Sequence, residues 1–424
     1  MLFNLLLIFC FYLPFQVALN PSAGIDLASG RVFILLLFFL WLADGLKKRR
    51  IFLQNSKAFF FILSFLFLNF FSLFFARNID WSIRKLLFLF SVFPLYFIVA
   101  DLANTKEKME KIIKALVWGG FLATLLGIFQ FAAQFIFGLE AVYNFWAEHI
   151  SPIFLGANVT EAVLQNPSWL VDISGRAYLR AIGAFPDPHM LSFFLGMLLP
   201  FALGLFFKTK NKFYLTIFFV MLLADLLTFS RGGYLGLVAG ILAVVIFSWN
   251  KLKNKYKLAL TFAVILASIL LIIPGPISQR FFSSFNFKEG SNQGRIEIWK
   301  QAGEVISMYP FFGVGIGNYP LEIKAAADYR EPIYAHSNYL DIAAETGLIN
   351  LAVWLGLAGF LILNFLKNFR QDILFFCAGI SVIIFSAHSL VETSLYSPIV
   401  LPLFLIVAGF TRLLPSQGYN FLEK

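Results

Sequence analysis

Arginine and histidine side chains stand in this sequence at positions suited to binding an anion and accepting a proton. Arg231 lies in the short segment Ser230-Arg-Gly-Gly-Tyr-Leu-Gly236, and Arg295 begins Arg-Ile-Glu-Ile-Trp299. A guanidinium group presents a planar fork of donors that suits phosphate oxygens. His336 follows Ala335, and an imidazole titrates near neutrality, so it can remove a proton from a hydroxyl group. These residue types predict a site that binds a phosphate group and removes a proton from a hydroxyl group.

Other polar residues give weaker signals. Arg176 and Arg180 flank Ala177-Tyr178-Leu179 and would share one face if the segment were helical; a solvated pair and a phosphate contact both fit that spacing. Asp187 and His189 supply only two candidate metal ligands, so we expect a reaction that needs no metal and no cofactor. The other acidic residues that are predicted to lie on the extracytoplasmic side of a membrane form no paired-acid motif. They include Asp26, Asp80, Glu297, Glu345 and Glu392.

The elements that must position these residues are apolar stretches. Hydrophobic residues make up 60% of the chain and charged residues 13%, with a mean hydropathy of +0.81, which excludes a soluble globular domain. A membrane crossing needs about 20 apolar residues, and only helices satisfy their backbone groups in lipid. We therefore expect an all-α integral membrane protein with about 12 transmembrane helices in a single polytopic domain, residues 1–424. The predicted spans lie near 2–18, 32–46, 58–76, 85–101, 112–137, 190–207, 213–229, 233–249, 257–274, 347–366, 372–390 and 398–413.

Two long polar segments interrupt this rhythm, at residues 138–188 and 274–346. Loops of this size more often carry function than simple connections do. The second, between the ninth and tenth spans, should bear short amphipathic helices, because Ile298, Trp299, Ala302, Val305 and Ile306 recur at helical spacing. Arg295 should begin that helix, where backbone N–H groups and a guanidinium would converge on one phosphate. Ser337 is a plausible N-cap for another helix, directly after His336.

The Gly313-Val-Gly-Ile-Gly-Asn-Tyr319 segment invites a nucleotide-binding interpretation. A dinucleotide fingerprint requires a preceding strand and a following helix of a βαβ unit, which the pattern does not predict. We therefore interpret the segment as a tight turn that returns the chain towards the bilayer.

Lysine and arginine are sorted onto opposite sides if the loops alternate across the membrane. Lysine in short loops marks the cytoplasmic face, so both termini should be cytoplasmic and the two long loops extracytoplasmic. The net charge of +10 then reflects orientation and attraction to membrane lipid headgroups, and no nucleic-acid motif is present. The arginines on the predicted outer side are Arg31, Arg77, Arg84, Arg176, Arg180, Arg231, Arg280, Arg295 and Arg330.

At its polar motifs the chain resembles the O-antigen ligase and O-antigen polymerase superfamily of bacterial inner-membrane proteins. The resemblance covers residues 175–360 and rests on an ordered set of motifs. They are Arg180-Ala-Ile-Gly-Ala-Phe-Pro-Asp-Pro-His189, Ser230-Arg-Gly-Gly-Tyr-Leu-Gly236, Arg295-Ile-Glu-Ile-Trp299 with Pro310-Phe-Phe-Gly-Val-Gly-Ile-Gly-Asn-Tyr319, and His336-Ser-Asn-Tyr-Leu340 with Glu345-Thr-Gly-Leu348. The first motif departs from the family pattern, which has asparagines where Asp187 and His189 stand, and those two residues receive no role.

The resemblance implies a glycosyltransferase of the extracytoplasmic face of the bacterial cytoplasmic (inner) membrane. Its donor would be a glycan on a polyprenyl (undecaprenyl) diphosphate, and its acceptor a hydroxyl of a glycan, lipid or protein. The implied catalytic residues are Arg231 and Arg295, as diphosphate ligands, and His336, as the base. We expect the substrate-binding residues to be Arg180, Arg176 and Asn338.

Competing interpretations stay open at this point. A ligase passes the glycan to a lipid or protein, whereas a polymerase passes it to another repeat unit, and both need the same donor site. A multi-pass transporter of a solute or lipid-linked sugar also fits the helix count, although transporter sites lie near the midplane between matching repeats, which the sequence does not suggest. A non-catalytic scaffold of an envelope-assembly complex is a further alternative.

Overall fold

The computed structural model describes residues 1–22, 25–49, 56–165, 168–173, 175–248, 275–283, 290–329 and 333–414. In these ranges the chain is mostly helical. The α-helices are α1 (Leu2–Tyr12), α2 (Ser29–Lys47), α3 (Lys57–Phe71), α4 (Ile79–Val92), α5 (Pro94–Leu102), α6 (Lys106–Phe137), α7 (Leu139–Phe145), α8 (Ser151–Leu155), α9 (Ala157–Gln165), α10 (Pro188–Thr209), α11 (Lys212–Leu227), α12 (Arg231–Ser248), α13 (Pro276–Ser283), α14 (Gly290–Met308), α15 (Tyr319–Ile323), α16 (Asn338–Lys367), α17 (Ile373–His388) and α18 (Val400–Gly409).

Long apolar helices identify a membrane protein. In the described part of the chain, six helices are long and apolar enough to cross a membrane. They are Ser29–Lys47, Lys57–Phe75, Ile79–Leu102, Lys106–Phe137, Pro188–Thr209 and Asn338–Lys367, and shorter apolar helices cover Leu2–Phe15, Arg231–Phe247, Ile373–His388 and Val400–Leu413. Helices lie over the predicted apolar stretches except 257–274, which falls outside the described residues together with Arg330 and the lysines of 251–257. The number of spans stays a prediction.

Helix α10 lies at the centre of the bundle and packs against α6, α11, α12 and α17. Its side chains are buried along most of its length, including Phe193, Phe194 and Phe201. Small residues let the neighbouring helices approach closely, since a Cβ at Gly204 would lie 2.4 Å from the Cys377 sulfur. The bundle therefore holds the first residues of α10 and the last residues of α17 in fixed relative positions.

The first long loop contains more than helix. Helices α7, α8 and α9 are followed by an antiparallel hairpin of β3 (Leu170–Ile173) and β4 (Arg176–Leu179), and a second hairpin near the N-terminus pairs β1 (Ala18–Ser22) with β2 (Ile25–Ala28). The expected all-α class therefore needs a correction: two small two-stranded sheets accompany the helices. The spacing of Arg176 and Arg180 suggested a shared helical face, but Arg176 lies in a strand and Arg180 just after it.

The second long loop begins with the predicted amphipathic helix and ends at a broken helix. Helix α14 buries Ala302 and Val305 against Tyr319 and Ala335, as its apolar spacing predicted. Ser337 caps α16, accepting a hydrogen bond from the Leu340 backbone N–H. Gly347 then interrupts α16 with a φ of 84°, so residues 338–346 form a short helical segment before the apolar helix continues.

The predicted turn at residues 313–317 returns the chain to this break. Gly313, Gly315 and Gly317 all have positive φ, a conformation that L side chains rarely adopt. The Leu348 N–H donates to the Pro310 carbonyl oxygen at 2.8 Å, and a Cβ at Gly347 would lie 2.0 Å from the Phe311 carbonyl oxygen. The turn and the helix break are therefore packed directly on each other.

Replacing Gly347 should destabilise the protein through this packing. We expect Gly347→Ala to cost about 1–2 kcal/mol from its positive φ, with a further cost from the clash at Phe311. Gly359→Ala is the matched control in the same helix, because nothing lies within 4 Å of its added Cβ. Thermal unfolding in detergent should show a lower melting temperature for Gly347→Ala and an equal or higher one for Gly359→Ala. Equal melting temperatures for the two variants would contradict this account of the break.

Candidate functional site

The candidate site is centred on a buried carboxylate, Glu392, which lies in the segment between α17 and α18. Its side chain is 7% exposed and accepts a hydrogen bond from Nη2 of Arg295 on α14. His336, just before α16, places Nδ1 3.3 Å from Oε2 of Glu392. His189, the second residue of α10, places Nδ1 3.6 Å from Oε1. Three segments far apart in the sequence therefore converge on one acidic side chain.

The surroundings of Glu392 keep it ionised. Burial by itself raises the pKa of a carboxyl group, because it penalises the charged form. The electrostatic effect of His189, the hydrogen bond of His336 and the charge of Arg295 outweigh burial, so the pKa of Glu392 is lowered below its usual range. A buried ionised carboxylate needs paired partners, and here Arg295 supplies a permanent positive charge.

His336 is held by its backbone as well as by Glu392. Its φ of 47° places it in the left-handed region, which is uncommon for a residue with a side chain. The preceding Ala335 N–H donates to Oδ1 of Asp341 at 2.8 Å, which fixes the turn. The hydrogen bond to Glu392 raises the pKa of His336 above 6.5 against the opposing effect of burial. Its side chain is 41% exposed and Nε2 makes no hydrogen bond to any described residue, so this nitrogen is open to a ligand.

Asn338 connects His336 to the segment that carries Glu392. Its side-chain N–H groups donate to the hydroxyls of Ser389 and Ser394 at 2.7 and 3.0 Å. Its oxygen accepts from the backbone N–H groups of Ser394 and Leu395 at 2.8 and 3.0 Å. The amide is fully buried, and its donors and lone pairs are all used. The amide of Asn338 is thus held by protein contacts, and its expected role in substrate binding stays a prediction.

Arg231 enters the same region from α12. It is 7% exposed, and Nη2 donates to the Ser283 hydroxyl of α13 at 2.7 Å. The preceding Ser230 hydroxyl lies 2.9 Å from Nδ1 of His189, which links Arg231 to the Glu392 group.

The two glycines after Arg231 have a packing function. A Cβ at Gly232 would lie 2.4 Å from His388, and one at Gly233 would lie 1.9 Å from the Ser192 hydroxyl. These glycines therefore allow the neighbouring helices to pack closely against the start of α12.

The remaining predicted arginines divide into buried and exposed. Arg180 is 3% exposed; its Nε donates to the Thr228 carbonyl oxygen at 2.6 Å and Nη1 to that of Ser168 at 2.8 Å. Burial, with Arg280 nearby, lowers the pKa of Arg180 to about 9. Arg176 is exposed on β4 and is not brought to the Glu392 group by any described contact.

The position of Arg295 differs from the expected one. It lies five residues after the first described residue of α14, so it does not begin the helix and the proposed anion site at the helix N-terminus does not form around it. Its partner in the structure is the carboxylate of Glu392, which the sequence pattern alone does not distinguish from the other acidic residues. The sequence signal that could have indicated Glu392 is the polar run Ser389-Leu-Val-Glu-Thr-Ser394 between two apolar helices. His189 was likewise missed, although it ends a quoted motif.

The Asp187 carboxylate accepts from the backbone N–H groups of His189 and Met190, which makes it the N-cap of α10. Among the residues that the structure describes, no group of three His, Cys, Asp or Glu side chains is placed to hold a metal ion.

Removing the charge of Glu392 should change the titration of His336. In the wild type the carboxylate stabilises the imidazolium, so His336 loses its proton at a pH above the ordinary value. In Glu392→Gln that stabilisation is absent, and the midpoint should move to lower pH. The measurement is histidine NMR against pH in detergent, with His336→Asn to assign the signal and the exposed Glu140→Gln as control. An unchanged midpoint in Glu392→Gln would exclude a functional His336–Glu392 pair.

Comparison with known proteins gives a family match for residues 216–355. Residues 216–355 match the family model described as O-antigen ligase, and that range contains Arg231, Arg295 and His336. His189 and Glu392 lie outside it on either side. No curated protein matches the chain. The match at residues 216–355 thus supports the resemblance of this chain to the O-antigen ligase and polymerase superfamily.

Proposed function

We propose that this protein is a membrane glycosyltransferase that moves a glycan from a polyprenyl diphosphate to an acceptor hydroxyl. The reaction would take place at the extracytoplasmic face of the bacterial cytoplasmic membrane. The observation that carries the proposal is the convergence of Arg295 and His336 on Glu392, which sets an anion-binding group beside a general base. Ser230 contacts His189 of the same group, and the adjacent Arg231 brings a second guanidinium to the region.

The arginines supply what the departing diphosphate requires. When the glycosidic carbon–oxygen bond breaks, negative charge develops on the diphosphate oxygens, and preorganised cations stabilise it most in a site that excludes water. Arg231 is buried, and Arg295 uses Nη2 for Glu392, so its other N–H groups stay available to phosphate oxygens. Two bidentate guanidinium contacts provide this stabilisation without a metal.

His336 supplies the base. Its Nδ1 donates to Glu392, which fixes the tautomer with a lone pair on the exposed Nε2. Nε2 would take the proton of the acceptor hydroxyl as the oxygen attacks the anomeric carbon, and the carboxylate would stabilise the imidazolium that forms. Attack from the face opposite the diphosphate gives inversion at that carbon. The polyprenyl chain would stay among the apolar helices, leaving the headgroup to the loops.

Orientation and acceptor class are separate parts of the proposal. Lysine-rich short loops support cytoplasmic termini and an extracytoplasmic site. The acceptor is a lipid or protein in the ligase form, which we favour, and a second repeat unit in the polymerase form. Assays with both acceptor classes in parallel separate the two forms.

Alanine substitution of the three proposed catalytic residues should abolish transfer. We expect His336→Ala to lose about 10²–10⁴-fold in rate, as is typical for a general base. Arg231→Ala and Arg295→Ala should each lose about 10²–10³-fold, as for removal of a transition-state donor. The assay combines purified protein, a polyprenyl-diphosphate glycan and acceptor, and follows glycan transfer.

Arg77→Ala is the matched control, because Arg77 is exposed and lies on the same predicted side. It should retain full activity, and melting temperatures should show that all variants fold. Full activity in any one of the three site variants would remove that residue from the mechanism. Solute counterflow in proteoliposomes without any glycan product would favour transport instead.

A further inference from the structure

His189 occupies a position that mirrors His336 on the same carboxylate. His336 approaches Oε2 of Glu392, while His189 approaches Oε1, each through Nδ1. The Nε2 atom of His189 makes no hydrogen bond to any described residue, and its side chain is 14% exposed. One carboxylate therefore joins two imidazoles, and each ring keeps a second nitrogen for another partner.

The fold holds His189 firmly in this place. Its backbone N–H donates to Oδ1 of Asp187 at 2.8 Å, within the N-cap of α10, and Pro188 occupies the first position of that helix. The Ser230 hydroxyl lies 2.9 Å from Nδ1 and also lies 3.4 Å from Nε2 of His388. A capped, buried helix start leaves the ring little freedom, which suits a group that must act in one direction.

Two arginines are among the charged groups around His189. Those that act on it electrostatically are Glu392, Arg180, Arg295 and His388. Ser230 directly precedes Arg231, so a proposed diphosphate ligand begins one residue from a group that His189 contacts. His336 faces the acceptor in the proposed reaction, and His189 stands among the arginines.

We propose that His189 is a second catalytic histidine, which passes the proton released by the acceptor hydroxyl to the departing diphosphate; this inference rests on the proposed function. The acceptor O–H bond breaks as its oxygen bonds to the anomeric carbon, and the diphosphate oxygen leaves with the electron pair of the old bond. The proton moves to Nε2 of His336, and the Nδ1 proton of His336 passes to Oε2 of Glu392. Rotation of the carboxyl group then presents that proton to Nδ1 of His189, and Nε2 of His189 protonates the diphosphate. Both rings change tautomer and no proton is gained or lost overall.

This proton path would aid release of the diphosphate and would return His336 to its neutral state. The product diphosphate carries more negative charge than the ester, and neutralising part of it by a proton weakens its hold on the arginines. His336 returns to its neutral state without a water molecule entering a site that must exclude water. The 3.6 Å separation between His189 and Glu392 is long for a hydrogen bond, and such contacts shorten when substrate binds.

The test replaces His189 by residues whose side chains can form a hydrogen bond but cannot accept and release a proton near neutral pH. His189→Asn places an amide near the Nδ1 position and His189→Gln near Nε2. We expect both to reduce the single-turnover transfer rate by at least about 10-fold, at the low end of acid–base effects. Binding of the polyprenyl-diphosphate glycan, measured with acceptor absent, should stay within about two-fold. A plot of the transfer rate against the deuterium fraction of the solvent should be curved for the wild type, where several protons move. The same plot should be linear for the variants.

Each alternative outcome has a definite meaning. Wild-type rates and a curved deuterium plot in His189→Asn and His189→Gln would overturn the role of His189 and leave the proposed function intact. A rate loss matched by an equal loss of donor binding would mark His189 as a structural or binding residue and would also overturn it. No transfer by the wild type would overturn the proposed function and this inference together. His149→Asn is the control, because that imidazole is exposed and stacks on Phe145.

Discussion

The ion pair between Glu392 and Arg295 is the constraint on which the rest of the site depends. An isolated charge in an apolar interior is expensive, so a buried carboxylate must be surrounded by donors. Here hydrogen-bond donors come from α14 and from the turn before α16, and His189 at the start of α10 lies 3.6 Å from the carboxylate. Each of these segments is positioned by its own packing, and the carboxylate links them into one electrostatic unit. Removing one partner would leave the others around an uncompensated charge.

A second layer of hydrogen bonds fixes the segment that carries Glu392. Asn338 binds it at Ser394 and Leu395, and Thr393 donates to Asp341. One helical turn further, Glu345 pairs with Lys85 of α4 at 2.5 Å and accepts from the Tyr396 hydroxyl at 3.0 Å. These contacts all reach the short helical segment 338–346, which follows His336 directly. His336 and Glu392 are therefore held by the same few residues, and the left-handed backbone of His336 is retained because these contacts over-determine it.

The features that the sequence predicted are those set by local chemistry. Apolar stretches give helices because lipid leaves the backbone no other partner, and the spacing of Ala302 and Val305 reports which face of α14 is buried. The role of Ser337 as N-cap follows from its neighbours in the chain. Glu392 was not predicted, because its partners lie 56 and 97 residues away and only the tertiary fold brings them together. Arg176 was misplaced for a related reason: a four-residue spacing does not distinguish a short strand from a helix.

Arg295 links the two halves of the proposed reaction through competition for its donors. In the structure its Nη2 serves Glu392, and in the proposed reaction a diphosphate also binds this guanidinium. Phosphate oxygens that bind Arg295 would be stabilised by part of its positive charge. Less of that charge would then stabilise the ionised carboxylate of Glu392, which would depend more on His336 and His189. The carboxylate then stabilises a protonated imidazole more strongly, so donor binding strengthens the base. By linkage, protonation of a histidine at Glu392 frees Arg295 for the diphosphate to the same extent. In the proposed reaction, a single carboxylate would thereby make the basicity of His336 depend on the presence of the donor.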